Sequence, residues 1–167
     1  MIYEEEVSVP ARRRMPEQKP GRSIQNYATP AEFIRAVKKR WDIEEFDYDL
    51  AADGDNSQAP FHFCEEEDSL KQNWTRLIGN LWLNPPFANI DPWAEKCARD
   101  AAVGRRIFFL TPASIGANWF ANHVWKKARV FALQGRLSFD GKAPYPKDCM
   151  LSVFPDNGFE IWDWRKE

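Results

Sequence analysis

Leu81-Trp82-Leu83-Asn84-Pro85-Pro86-Phe87 is the stretch that decides how the rest of the chain is read. Three apolar residues, Leu81 to Leu83, read as a short buried strand that delivers Asn84 to its carboxyl end. Pro85 and Pro86 then stop the sheet, because proline lacks the ladder N–H and fixes φ. Each X-Pro bond also holds the preceding residue extended. The product is a stiff clamp at a sheet edge: one side-chain amide, two carbonyls, and then the Phe87 ring.

Such a clamp suits a flat molecule bearing an NH2 group. The lone pair of an aryl amine is delocalised into its ring, so the amine is a poor nucleophile. Acceptors aimed at its N–H bonds help the nitrogen become tetrahedral, and the Asn84 oxygen and Pro85 carbonyl are placed for that task. Phe87 offers a face for stacking. Methylation of an exocyclic amine is the chemistry implied. An ordinary strand-ending Asn-Pro turn with a core Phe is the plain alternative, and the remaining chain must decide between them.

Upstream, Thr29-Pro30-Ala31-Glu32 reads as a helix start, with Thr29 as N-cap, Pro30 at the first helical position and Glu32 closing a capping box. Phe33, Ile34, Val37 and Trp41 recur at helical spacing and mark its buried face. The free N–H groups of such a helix start suit an anion, for instance the carboxylate of a methionine-type ligand. Phe46, Tyr48 and Leu50 alternate with Asp47 and Asp49 in a strand that ends in Ala51-Ala52. Small residues there admit a ligand close to the backbone, and the acidic groups suit a ribose hydroxyl or a sulfonium. In the acidic run Glu65 to Asp68, Asp68 stands out, since Asp68-Ser69-Leu70 can open a helix over 71–77.

Downstream, Asp91-Pro92 caps another helix, and Ile107-Phe108-Phe109-Leu110 is a fully apolar strand ending at Thr111-Pro112. A helix is expected from about Asn118 to Lys127, then a strand at Val130–Leu133. Met150–Phe154 and Phe159–Trp164 read as strands joined by a hairpin turn at 155–158. Strands alternating with helices indicate an α/β domain with a mainly parallel sheet and a C-terminal antiparallel hairpin. Ligands in such sheets sit outside the carboxyl ends of the strands, where Asp49, Asn84 and Thr111 all fall.

Composition narrows the partners. The net charge of −2 gives no global signal for nucleic acid, so a DNA contact needs a local basic face. Residues 1–26, a proline-punctuated arm followed by one domain over 27–167, read either as a solvated tail or, through Arg12, Arg13 and Arg14, as a contact to the DNA backbone. Cys64, Cys97 and Cys149 have neither metal nor disulfide-framework spacing, and no run is apolar enough to span a membrane. A reducing, cytoplasmic setting without metal or membrane is expected. His62 and His123 lack a nearby nucleophile motif, so hydrolase readings are poor.

With Tyr27-Ala28-Thr29-Pro30, Phe46 to Ala52, Asn56, Asp68-Ser69-Leu70, Trp74, Asn84-Pro85-Pro86-Phe87, Leu110 to Ala113, Trp119-Phe120 and Gly135 to Phe139, the chain resembles the phage-type DNA N6-adenine methyltransferases. The resemblance runs in order from about Tyr27 to Phe154. It implies a Rossmann-like class I methyltransferase fold, S-adenosylmethionine as cofactor and double-stranded DNA as partner, in the cytoplasm of a bacterial host if phage-encoded. It places Asn84, Pro85, Pro86 and Phe87 around a flipped adenine, and Tyr27, Thr29, Pro30, Asp49, Ala51, Asp68 and Leu70 around the cofactor. Arg136 joins the arginines of the arm as a DNA contact.

Two departures stand out: Asn84 replaces the Asp of many adenine methyltransferases, and Phe87 replaces their Tyr. Gly54 stands alone after the first strand, and the missing glycine-rich loop counts against glutamine and ribosomal-RNA guanine methyltransferases. Without a separate target-recognition domain, recognition falls to Ile90, 115–128, 140–148 and the arm. RNA or protein-amide methylation, or a catalytically silent binding relative, are the other readings.

Overall fold

The computed structural model describes residues 28–167. Two helices, α1 (Ala31–Trp41) and α2 (Asp91–Asp100), accompany seven strands. These are β1 (Tyr48–Asp49), β2 (Phe61–His62), β3 (Gly79–Leu83), β4 (Arg105–Pro112), β5 (Arg129–Leu133), β6 (Cys149–Phe154) and β7 (Gly158–Trp162). They form one sheet in the order β2-β1-β3-β4-β6-β5-β7. β6 runs antiparallel to both its neighbours, and every other pairing is parallel.

Alternation along the central strands feeds two cores. Trp82, Phe108 and Leu110 face one side with Phe33 and Val37 of α1. Leu81, Leu83, Ile107 and Phe109 face the other with Ala94 and Cys97 of α2. Burial on both faces is why β3 and β4 read as unbroken apolar runs. On the first face Trp82 sits 5.3 Å from Phe46 and 6.4 Å from Phe33, ring centre to ring centre. Gly79 opens β3 at φ 98°, and a side chain there would collide with the Asp47 carboxylate, which accepts the Asn80 N–H at 2.7 Å.

The expected terminal hairpin does not form. β5 lies between β6 and β7, so the two pair with β5 and not with each other. β6 is buried along its whole length, with β4 and β5 occupying both its edges. The 155–157 loop crosses to the far side of β5, held where Arg129 donates to the Asp156 carboxylate at 2.9 Å. There β7 adds Trp162 to the rings of Phe33, Trp41 and Phe131.

Two expected helices are also shorter. Residues 69–76 make two 3₁₀ turns, Ser69–Lys71 and Trp74–Arg76, because the Asn73 side chain takes the Thr75 N–H at 3.0 Å and restarts the chain. The 118–127 segment condenses to a π-helical turn, Phe120–Val124, closed by the Trp125 N–H on the Phe120 carbonyl at 2.9 Å. β1 sits between β2 and β3, so the chain leaves it in one direction and returns on its other side. The crevice at the carboxyl ends of β1 and β3 is therefore the topological switch point.

Candidate functional site

A cleft of about 510 Å³ opens at that switch point, within the size range of small-molecule sites. Its floor near β1 is Ala51 and Ala52, followed by Asp53 and Asn56. The β2 side contributes Phe63, Cys64 and Glu65. Asp68 and Ser69 form one wall, Asn84 and Pro86 the wall after β3, and Trp93 of α2 completes it. The site residues expected from sequence that meet here are Ala51, Asp68, Asn84 and Pro86.

Asp49 does not line the cleft; it builds the loop that does. Its carboxylate is 2% exposed and accepts the N–H groups of Ala51 at 3.2 Å and Gln58 at 2.9 Å. Burial raises its pKa to about 6, against the opposing pull of those two N–H groups. The loop's other end is pinned where Asn56 accepts the Asp53 N–H at 2.9 Å. Asp53 and Glu65, together with Asp68, give the cleft three acidic residues along its rim.

Thr29 is not a helix cap. Pro30 takes that place, its carbonyl accepting the Phe33 and Ile34 N–H groups at 3.0 and 3.1 Å. The Thr29 hydroxyl, nearly buried, instead accepts the Asn84 amide N–H at 3.1 Å. The start of α1 and the end of β3 are thus tied together, and the amide nitrogen of Asn84 is held toward Thr29.

Pro85 is buried and Phe87 half-buried. The Phe87 ring packs edge-to-face with Phe139 at 6.0 Å and Tyr145 at 5.8 Å, and those two meet at 5.4 Å. This aromatic trio joins the 137–145 loop to the clamp. The Tyr145 N–H closes the loop on the Leu137 carbonyl at 2.7 Å. Phe139 belongs to the Gly135 to Phe139 stretch of the resemblance and Tyr145 to the 140–148 recognition segment, but the sequence does not tie either ring to Phe87.

Trp74 holds the wall opposite. Its indole N–H reaches both the carbonyl and the hydroxyl of Ser69, at 3.1 and 3.2 Å. The buried Lys96 ammonium lies 4.7 Å from its ring and pairs with Asp100 at 3.0 Å. Asp68 adopts a left-handed conformation and pairs with Lys71 at 2.7 Å. Leu70 lies on the same turn and does not line the cleft.

Ile90, expected at the recognition surface, is 8% exposed and belongs to the second core. It precedes α2, and its side chain is turned inward with Ala94. Arg136 is exposed and paired with Asp148 at 3.2 Å. Tyr27, Arg12, Arg13 and Arg14 lie outside the described residues. Among the described residues no group of three or more His, Cys, Asp or Glu could hold a metal, and no helix is long and apolar enough to cross a membrane.

A mainly parallel sheet with an acid-rimmed cleft at its switch point, beside the Pro85-Pro86 turn, defines the class: an α/β domain whose cleft lies at the carboxyl ends of its strands. Residues 18–150 match the family model of DNA N-6-adenine-methyltransferase (Dam), and the chain belongs to that family. A DNA N-6-adenine-methyltransferase of Escherichia phage T1 is 26% identical to it over 114 residues, which cover 68% of this chain and 47% of the phage protein. The chain thus spans about half the length of that relative.

Proposed function

We propose that the chain transfers a methyl group from S-adenosylmethionine to N6 of an adenine flipped out of double-stranded DNA. The observation that carries this reading is the placement of Asn84. It closes β3 at the switch point, lines the cleft, and has its amide nitrogen committed to Thr29. The oxygen end of the same amide is the acceptor proposed for an amine hydrogen.

The cleft fits the cofactor by the chemistry of its lining. Ala51 and Ala52 leave room at the backbone, and the acidic rim of Asp53, Glu65 and Asp68 suits a cationic sulfonium and a ribose diol. Phe63 and Trp93 supply apolar surface for a nucleoside ring. S-adenosylmethionine supplies the methyl group from its sulfonium when bound. Asp49 supports this arrangement from behind by holding the 51–58 loop.

On the substrate side, Asn84 Oδ1 and the Pro85 carbonyl accept the two N6 hydrogens and localise the nitrogen lone pair. With the cofactor held in the cleft, the amine nitrogen so oriented would take the methyl group as the carbon–sulfur bond breaks, and its proton would leave to water afterwards. Phe87 stacks on the adenine face, with Phe139 and Tyr145 holding its ring in place. Extruding the base costs a few kcal/mol of stacking and pairing, which these contacts offset. Arg136 and the arginines of the arm are proposed contacts to the phosphate backbone. The same reading takes the sheet as a Rossmann-like methyltransferase sheet; its support is the switch between β1 and β3 and the single reversed strand β6.

The test is incubation with methyl-labelled cofactor and duplex DNA, followed by nucleoside digestion and mass spectrometry. N6-methyladenine should carry the label. Label confined to RNA or to protein would contradict the proposal.

A further inference from the structure

β7 ends the sheet. It pairs with β5 along one side, and among the described residues no strand lies along the other. Proteins usually blunt such an edge with proline, lysine or a bulge. Gly158-Phe159-Glu160-Ile161-Trp162 contains neither residue, and Phe159 and Ile161 are 48% and 72% exposed.

The backbone direction is set by one bond. The Gln134 N–H donates to the Trp162 carbonyl at 2.9 Å, so Trp162, Glu160 and Gly158 turn their backbone groups toward β5. Peptide groups alternate along a strand, so Phe159 and Ile161 turn theirs outward. Their side chains lie on one face, two residues apart.

This edge is self-complementary about Glu160. In an antiparallel pairing of two copies centred there, Phe159 faces Ile161 of the second copy, and the reverse. Both pairs are of the type that exchanges both backbone bonds. Each also joins an aromatic to a β-branched side chain, a favourable cross-strand match. Glu160 then faces Glu160, which alone would repel. Arg40 pairs with that carboxylate, and Arg129 lies 3.8 Å from it, so each copy neutralises its own glutamate.

We infer that the chain forms a two-fold symmetric dimer through β7, continuing its seven-stranded sheet into that of a second copy. The axis passes through the sheet at Glu160. The two clefts therefore open at opposite rims, and neither is covered by the partner.

Sedimentation velocity of the full chain over a wide concentration series tests this, together with amide hydrogen exchange at Phe159 and Ile161. The wild type should reach twice the 19.5 kDa chain mass, with exchange at both amides slowing as concentration rises. Ile161→Lys and, independently, Phe159→Lys should each return the protein to single-chain mass, with the melting profile that the wild type shows at concentrations where it is monomeric. Three results would overturn the inference: a wild type that stays monomeric, a dimer that survives both substitutions, or concentration-independent protection of both amides in a monomer. The last would mean that another segment of the same chain covers the edge.

Discussion

The two sides of the cleft are built by different means. The β3 side is hydrophobic framework: Leu81, Trp82 and Leu83 are fully buried, β4 flanks them, and Asn84 follows, donating to Thr29. The β1–β2 side has strands of two residues each, and polar bonds hold its loops. Asp49 holds the 51–58 loop, Asn56 holds Asp53, and Trp74 holds Ser69. Rigidity bought by burial positions the proposed chemistry, while hydrogen bonds shape the proposed cofactor wall. Damage on the first side should therefore cost the fold, and damage to the loop ties of the second should cost ligand affinity, with the buried Asp49 carboxyl linking the second side to the fold.

The largest effect should come from the framework. Trp82→Ala empties a site packed between Phe46 and Phe33 and should lower unfolding free energy by about 3–5 kcal/mol, read by denaturant titration. A loss below about 1 kcal/mol would erase the contrast between the two sides.

Next comes pH. The folded Asp49 carboxyl titrates at about 6 rather than 3.8, so the folded state holds its proton where the unfolded chain has lost it. Its contribution to stability is full below the unfolded value and is lost as pH rises through the folded one. The stability of the wild type relative to Asp49→Asn should therefore fall by about 3 kcal/mol between pH 3 and pH 7, at about 1.4 kcal/mol per pKa unit. A flat difference across that range would show that Asp49 is not desolvated.

On the cofactor wall, Trp74→Phe keeps a buried ring and removes the indole N–H from Ser69. About 1 kcal/mol, or roughly fivefold, should appear in cofactor Kd with kcat little changed. An equal loss in kcat would place Trp74 with the framework. The smallest effect is expected at Ser152, whose buried hydroxyl has no hydrogen-bond partner among the described residues. Ser152→Ala should change stability by less than about 0.5 kcal/mol, since no bond is lost.

The same contrast explains what could be read from the chain alone. β3, β4, β5 and β6 were legible because burial writes itself as continuous apolar runs. β2 was not, since Phe61-His62 is a two-residue strand formed only by pairing with β1. The hairpin expectation was local chemistry overruled by β5, which occupies the edge that β7 would have used. Thr29 has the sequence signature of a cap, but its hydroxyl is spent on Asn84, 55 residues away. Of the three residues that strand ends point to, Asp49, Asn84 and Thr111, Asn84 lines the cleft, while Asp49 and Thr111 are buried in the sheet. The supporting contacts of Trp74, Lys96, Phe139 and Tyr145 arise only from tertiary packing.

The central claim is that Asn84 acts on the amine and not on the cofactor. The most direct test compares Asn84→Ala with wild type in two readouts, cofactor Kd by calorimetry and single-turnover methyl transfer to duplex DNA. The account predicts a Kd within about threefold of wild type, under about 1 kcal/mol, and a transfer rate lower by about 10²–10³, the usual loss when one oxygen or N–H aimed at developing charge is removed. A variant that transfers methyl groups at the wild-type rate would contradict it.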